Sequence, residues 1–217
     1  MKPIRLCYQT VDFGEFDIHI RTLRDKQQYF DPEGAAAKIG ISSAAWPLFG
    51  VVWDSGYFLA DIMVDYPIRG KRILEVGCGI GLASLVLNHR GADITATDHH
   101  PEAQAFLDRN TLLNHDRNIS FVRVGWNDNV TQALGCFNLI IGSDLLYEEE
   151  QAKMLALFIH RYSELHCNVL IIDPGRGHSA KFKRNMNDLG FRFSAEQHRA
   201  SNEASKPFSG KILSFAR

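Results

Sequence analysis

The sequence predicts an α/β protein, a doubly wound and mostly parallel sheet of seven strands with an antiparallel pair at the C-terminal end. Three observations predict it. From residue 72 onward, short runs rich in apolar and β-branched residues alternate with helix-length amphipathic stretches. The first of these runs passes directly into the glycine-rich turn Gly77-Cys78-Gly79-Ile80-Gly81. The last two, Phe191 to Ala195 and Lys211 to Ala216, follow each other with no helical period between them, which an all-parallel sheet would not show.

The elements follow in chain order. Ile4 to Thr10 and Phe16 to Arg21 read as a hairpin turning at Asp12 to Gly14, and Ser55 to Tyr66 as a helix. The parallel strands are Arg72 to Val76, Asp93 to Thr97, Ile119 to Val124, Phe137 to Gly142 and Asn168 to Ile172. Between them, Leu82 to Arg90 is a helix ended by Gly91, and Pro101 opens another that runs to about Asn114. Glu148, Glu149 and Glu150 suit the start of a third helix, with Met154, Leu155, Phe158 and Tyr162 on its apolar face. Phe182, Met186 and Leu189 repeat the pattern in a fourth, closed by Gly190. The whole chain, 1–217, is expected to be one domain, with 1–50 as a flank or lid and 51–217 as its core.

Composition narrows the partners. With 24 Lys and Arg against 25 Asp and Glu, the net charge of −1 gives no general attraction to nucleic acid or to an anionic membrane. The longest apolar-rich run, Ile73 to Leu87, is interrupted by Glu75 and three glycines, so no membrane span is expected. Cys7, Cys78, Cys136 and Cys167 are dispersed and form no Cys/His cluster. That pattern predicts reduced thiols in a cytoplasmic protein with neither a metal site nor a disulfide framework.

The glycine turn is where chemistry is expected. Glycines at every second position let the backbone turn sharply and approach a ligand ahead of a helix N-terminus. A tight turn with no ligand would show the same glycines. Asp98, however, ends the next strand 21 residues after Gly77, where its carboxylate can accept hydrogen bonds from both ribose hydroxyls of an adenosine. The spacing G-x-G-x-G differs from the G-x-G-x-x-G of dinucleotide sites, and Glu75 stands two residues before the first glycine. An acidic group there disfavours a pyrophosphate but is acceptable beside a positively charged sulfonium amino acid. The residues therefore favour S-adenosylmethionine.

Glu75-Val76-Gly77-Cys78-Gly79-Ile80-Gly81 resembles motif I of the seven-strand, class I methyltransferases. From about residue 46 the chain resembles methyltransferase family 16, which contains many protein-lysine methyltransferases. Gly50-Val51-Val52-Trp53-Asp54 is similar to a segment whose Trp lies at the cofactor, and Val124-Gly125-Trp126-Asn127-Asp128 to one whose Trp lies beside the adenine. Gly125 departs from the Asp often found there. Ser143-Asp144-Leu145-Leu146-Tyr147 matches the D-x-x-Y signature. Asp173-Pro174-Gly175-Arg176 is similar to a loop in the branch that methylates an electron-transfer flavoprotein subunit. One loop does not name a substrate.

The resemblance implies a cofactor site of Trp53, Glu75, Gly77, Cys78, Gly79 and Gly81, with Asp98, His99, Trp126 and Ser143. It implies Asp144 and Tyr147 as the catalytic pair. Asp144 would hold an acceptor lysine of a protein in a dry pocket that lowers its pKa, and Tyr147 would form a wall or donate a hydrogen bond. Trp46 reads as core, and the pair His99 and His100 as part of the loop around the cofactor. Two further readings stay open: an N-methyltransferase of a small amine or heteroaromatic, and a non-catalytic module that binds the cofactor or a protein.

Overall fold

The computed structural model describes residues 4–128, 134–147, 149–197 and 210–217. The N-terminal hairpin forms as β1 (Leu6–Asp12) and β2 (Asp17–Leu23), one to two residues later than the sequence suggests. Gly14 at φ 79 makes the turn possible, and its N–H donates to Asp12 Oδ1 at 2.6 Å. A short helix, α1 (Ala35–Lys38), and a 3₁₀ turn, Trp46–Gly50, lead to α2 (Asp54–Asp65). By length and composition Trp46–Asp65 could cross a bilayer. Here it is broken by the extended link at Val51 to Trp53, and Phe58, Leu59, Ala60 and Met63 are buried in the core.

The main sheet is built from β3 (Arg72–Val76), β4 (Asp93–Asp98), β5 (Ser120–Arg123), β6 (Phe137–Ser143), β7 (Ser163–Asp173), β8 (Arg192–Gln197) and β9 (Lys211–Ala216). Their spatial order is β5-β4-β3-β6-β7-β9-β8. The first five are parallel, and β9 lies antiparallel between β7 and β8. The antiparallel pair therefore forms as the sequence implies, with the later strand inside. The reason is burial: β9 places Ile212, Leu213 and Phe215 in the core, whereas Arg192, Phe193 and Ser194 of β8 are exposed.

Strand side chains alternate between two apolar layers, as the two-residue period requires. Ile73, Leu139, Ile141, Leu170 and Ile172 face one layer, and Leu74, Ile140, Val169 and Ile171 the other. The first is covered by α2, α3 (Leu82–His89) and α4 (Ala103–Leu113). The second is covered by α5 (Glu149–Tyr162) and α6 (Ser179–Asp188). Glu149 and Glu150 occupy the first turn of α5, while Glu148, assigned to the same start, lies outside the described residues. Strand β7 begins directly after α5, five residues before the sequence marks it, because Glu164 to His166 are exposed and Leu165 stands alone between two polar residues, too little to mark a strand.

The hairpin shares the first layer through Ile18, Ile20 and Leu23. Two asparagines of α4 hold it. Asn114 accepts from His19 N at 2.7 Å and donates to His19 O at 2.8 Å. Asn110 does the same for Arg21, at 2.7 and 3.3 Å. These side chains bond the edge of β2 at alternate residues, as a neighbouring strand would.

Candidate active site

The chain reverses its winding between β3 and β6, with β4 and β5 on one side and β7 on the other. Ligands of doubly wound sheets bind outside the strand carboxyl ends at such a point. A cavity of about 460 Å³ opens there, in the size range of sites for small ligands. It is lined by Trp53, Glu75, Gly77, Cys78, Gly79, Asp98, His99, Trp126, Ser143, Asp144 and Tyr147. Of the residues assigned to the site from sequence, only Gly81 is outside this lining.

Gly79 has φ 57, and a Cβ there would lie 2.8 Å from the Phe49 carbonyl oxygen, so only glycine fits between the turn and the segment above it. Gly81 serves a different neighbour. It precedes α3 at φ 76, where a Cβ would meet Leu107 of α4 at 2.5 Å. Its role is the close approach of two helices.

Two carboxylates, Glu75 buried and Asp98 partly buried, fix the loops. Glu75 accepts from the N–H of Ser84 at 2.9 Å and from the Ser84 hydroxyl. Asp98 Oδ2 accepts from Gly79 N and Oδ1 from His100 N, each at 2.8 Å, joining the loops after β3 and β4. Burial raises the pKa of both, and that of Glu75 reaches about 7, its Ser84 bonds and the nearby Asp98 being smaller influences.

This gives a test. Between the ordinary value of 4.5 and about 7 the folded protein keeps a proton on Glu75 that the unfolded chain has lost. Stability from this group is therefore full below pH 4.5 and declines as pH rises to 7, by on the order of 3 kcal/mol. Glu75→Gln should flatten that decline in urea unfolding between pH 5 and 7. An equal slope in both proteins would assign it to other groups, Asp98 first.

Burial pushes the Cys78 thiol well above its usual range, so it remains protonated and unreactive. Trp53 stands just before α2, its indole N–H donating to Leu48 O at 3.1 Å and Lys26 Nζ lying 4.3 Å from the ring centroid. His99 lies with Nε2 3.5 Å from Ile39 O. Trp126 is half-buried against the second apolar layer, whereas Trp46 is wholly buried, as expected of core.

Ser143 ends β6, and Asp144 and Tyr147 follow it. Asp144 is buried at φ 55, rare for a residue with a side chain, and its N–H donates to Ile172 O at 2.9 Å. Tyr147 is 41% exposed. Its hydroxyl is pushed up to about 12, first by desolvation and then by the charge of Asp144, so it is a neutral donor at physiological pH.

Several roles in the site escape a reading of the sequence, which places His100 in the loop around the cofactor but gives it no contact. Arg176 reaches Asp144 from the loop after β7. Asp128, three residues after Gly125, accepts from Gly125 N at 2.6 Å and lines the cavity, so a carboxylate is present where Gly125 lacks one. His100 stacks on Phe49 with centroids 3.8 Å apart. Its Nδ1 accepts from Glu102 N, and burial lowers its pKa to about 4. The ring is therefore neutral with its proton on Nε2, a buried donor without a protein partner in the lining of the cavity. An unused donor, a glycine cradle and a carboxylate at the end of β4 together fit an adenosine-bearing ligand.

Sheet order, glycine turn and the positions of Asp98 and Asp144 together define the class I methyltransferase fold. Magnesium protoporphyrin IX methyltransferase from Synechocystis, solved with bound SAM, superposes with a TM-score of 0.58 at 18% identity, covering 74% of this chain and 76% of that one. More narrowly, the chain belongs to the lysine methyltransferase family, whose profile matches residues 43–188. It is 30% identical over 165 residues to the protein N-lysine methyltransferase METTL21A of Danio rerio, covering 71% of this chain and 74% of that protein. It is 31% identical over 134 residues to the electron transfer flavoprotein beta subunit lysine methyltransferase of Xenopus laevis, covering 60% and 53%. The chain thus spans about half the length of that relative.

Proposed function

We propose that the protein is an S-adenosylmethionine-dependent methyltransferase whose acceptor is a lysine side chain of another protein. One observation carries this reading: the glycine turn, Asp98, Asp144 and Tyr147 all line a single cavity. When bound, S-adenosylmethionine supplies an electrophilic methyl group on a good leaving group. Asp98 and the donor of His100 would hold its adenosine, and Glu75 would balance its positive charge. Asp144 and Tyr147 would orient the acceptor nitrogen, since alignment and exclusion of water are most of what such a displacement needs. The exposure of Tyr147 leaves the acceptor end open to a side chain presented on a protein surface.

Incubation with tritiated S-adenosylmethionine and recombinant electron transfer flavoprotein β subunit, in parallel with lysate of cells lacking the protein, tests the proposal. Label retained on lysine after acid hydrolysis is expected in at least one. Absence of S-adenosylhomocysteine binding by the wild type would overturn the proposal.

A further inference from the structure

Asp144 is 4% exposed, and a carboxylate at that depth is costly without a partner. Arg176 is the partner, Nε donating to Oδ1 and Nη2 to Oδ2, each at 2.8 Å, in a bidentate fork. The loop that presents it is folded for the purpose. Asp173 Oδ1 accepts from the N–H groups of Gly175 at 3.0 Å and Arg176 at 3.1 Å, with Gly175 at φ 97. The guanidinium lies 5.0 Å from the centroid of the Tyr147 ring, so it covers both residues of the acceptor end.

A lysine must meet the methyl group as a neutral amine, because an ammonium has no lone pair to form the new bond. A buried carboxylate with its charge uncompensated would favour the ammonium and hold the acceptor in its unreactive form. We infer that Arg176 is a positioning residue that acts through Asp144, cancelling its charge so that the acceptor end takes up the amine in its neutral form. The fork leaves further acceptor capacity on the carboxylate, which can still orient an N–H of the amine. This inference rests on the lysine-transfer reading above.

The other charged or titratable groups around Asp144 do not replace this effect. Tyr147, on the same loop, is neutral. Asp173, at the end of β7, is negative and acts on Arg176. Asp98 and Glu75, from β4 and β3, line the same cavity and are acidic. Arg176 is the cation paired with Asp144 among the described residues.

Two ligands test the inference without a protein substrate. Sinefungin carries an amine where S-adenosylmethionine carries its methylated sulfur, and S-adenosylhomocysteine carries neither charge nor methyl, so their affinity ratio reports how the acceptor end receives an ammonium. By calorimetry at pH 7.5, Arg176→Gln should raise the sinefungin-to-S-adenosylhomocysteine ratio about tenfold, while Arg176→Lys, which keeps the charge, should stay within about threefold of wild type. An unchanged ratio in Arg176→Gln would make Arg176 a structural clamp only and overturn the inference. Should Arg176→Gln bind neither ligand, the wild type decides. Its ratio should rise at least about threefold between pH 7 and 10 as the amine loses its proton, and a flat or falling ratio would overturn the inference. Failure of wild type to bind S-adenosylhomocysteine at all would instead overturn the methyltransferase reading.

Discussion

Asp98→Ala should lose S-adenosylhomocysteine binding by at least about a hundredfold in calorimetry. Two separate effects add. The carboxylate is the group positioned to accept from the ribose hydroxyls, and hydrogen bonds to a charged acceptor contribute about 1.5–3 kcal/mol each. It also accepts the backbone N–H groups of Gly79 and His100, so its removal releases the two loops from each other. Asp98→Asn separates the effects: it keeps one acceptor oxygen and nearly the same volume, and should fall between wild type and alanine. If alanine binds as wild type does, the ribose is held elsewhere and the assignment of this end of the cavity is wrong.

Asp144→Asn should reduce methyl transfer by at least about a hundredfold, the scale expected when an aligning contact is lost, with S-adenosylhomocysteine affinity kept within about threefold. Asparagine is the better substitution here because Asp144 sits at φ 55, a conformation that asparagine tolerates and alanine does not. A defect in alanine would mix lost chemistry with backbone strain. Asparagine retains an oxygen for Arg176 and removes the negative charge. Equal loss of transfer and of binding would mean that Asp144 serves the cofactor and that the acceptor is held by other groups.

The parts of this molecule governed by local pattern were legible in its sequence. The strands β3 and β6 are short runs rich in apolar residues and β4 is rich in β-branched ones, and the glycine turn with Asp98 announces an adenosine site because each needs its residue type at a fixed place. What escaped depends on distance in the chain. Arg176 and Asp144 are 32 residues apart and meet only because β6 and β7 are neighbours, which no periodicity encodes. The stacking of His100 on Phe49 joins the loop after β4 to a 3₁₀ turn in a segment that has no clear pattern. The inner position of β9 follows from a comparison of two strands' burial. Gly81 shows the converse: its place in the motif suggested a ligand contact, and the space it leaves is used by Leu107.

The amides of Asn110 and Asn114 have a consequence for assembly. A two-stranded ribbon has two unsatisfied margins, and each is a template onto which a strand from another molecule can add. On the β2 margin, the donors and acceptors of His19 and Arg21 are already taken by a helix of the same chain. Growth of the ribbon by strand addition is thereby blocked along that side, and the block is made of two side chains rather than of any further backbone.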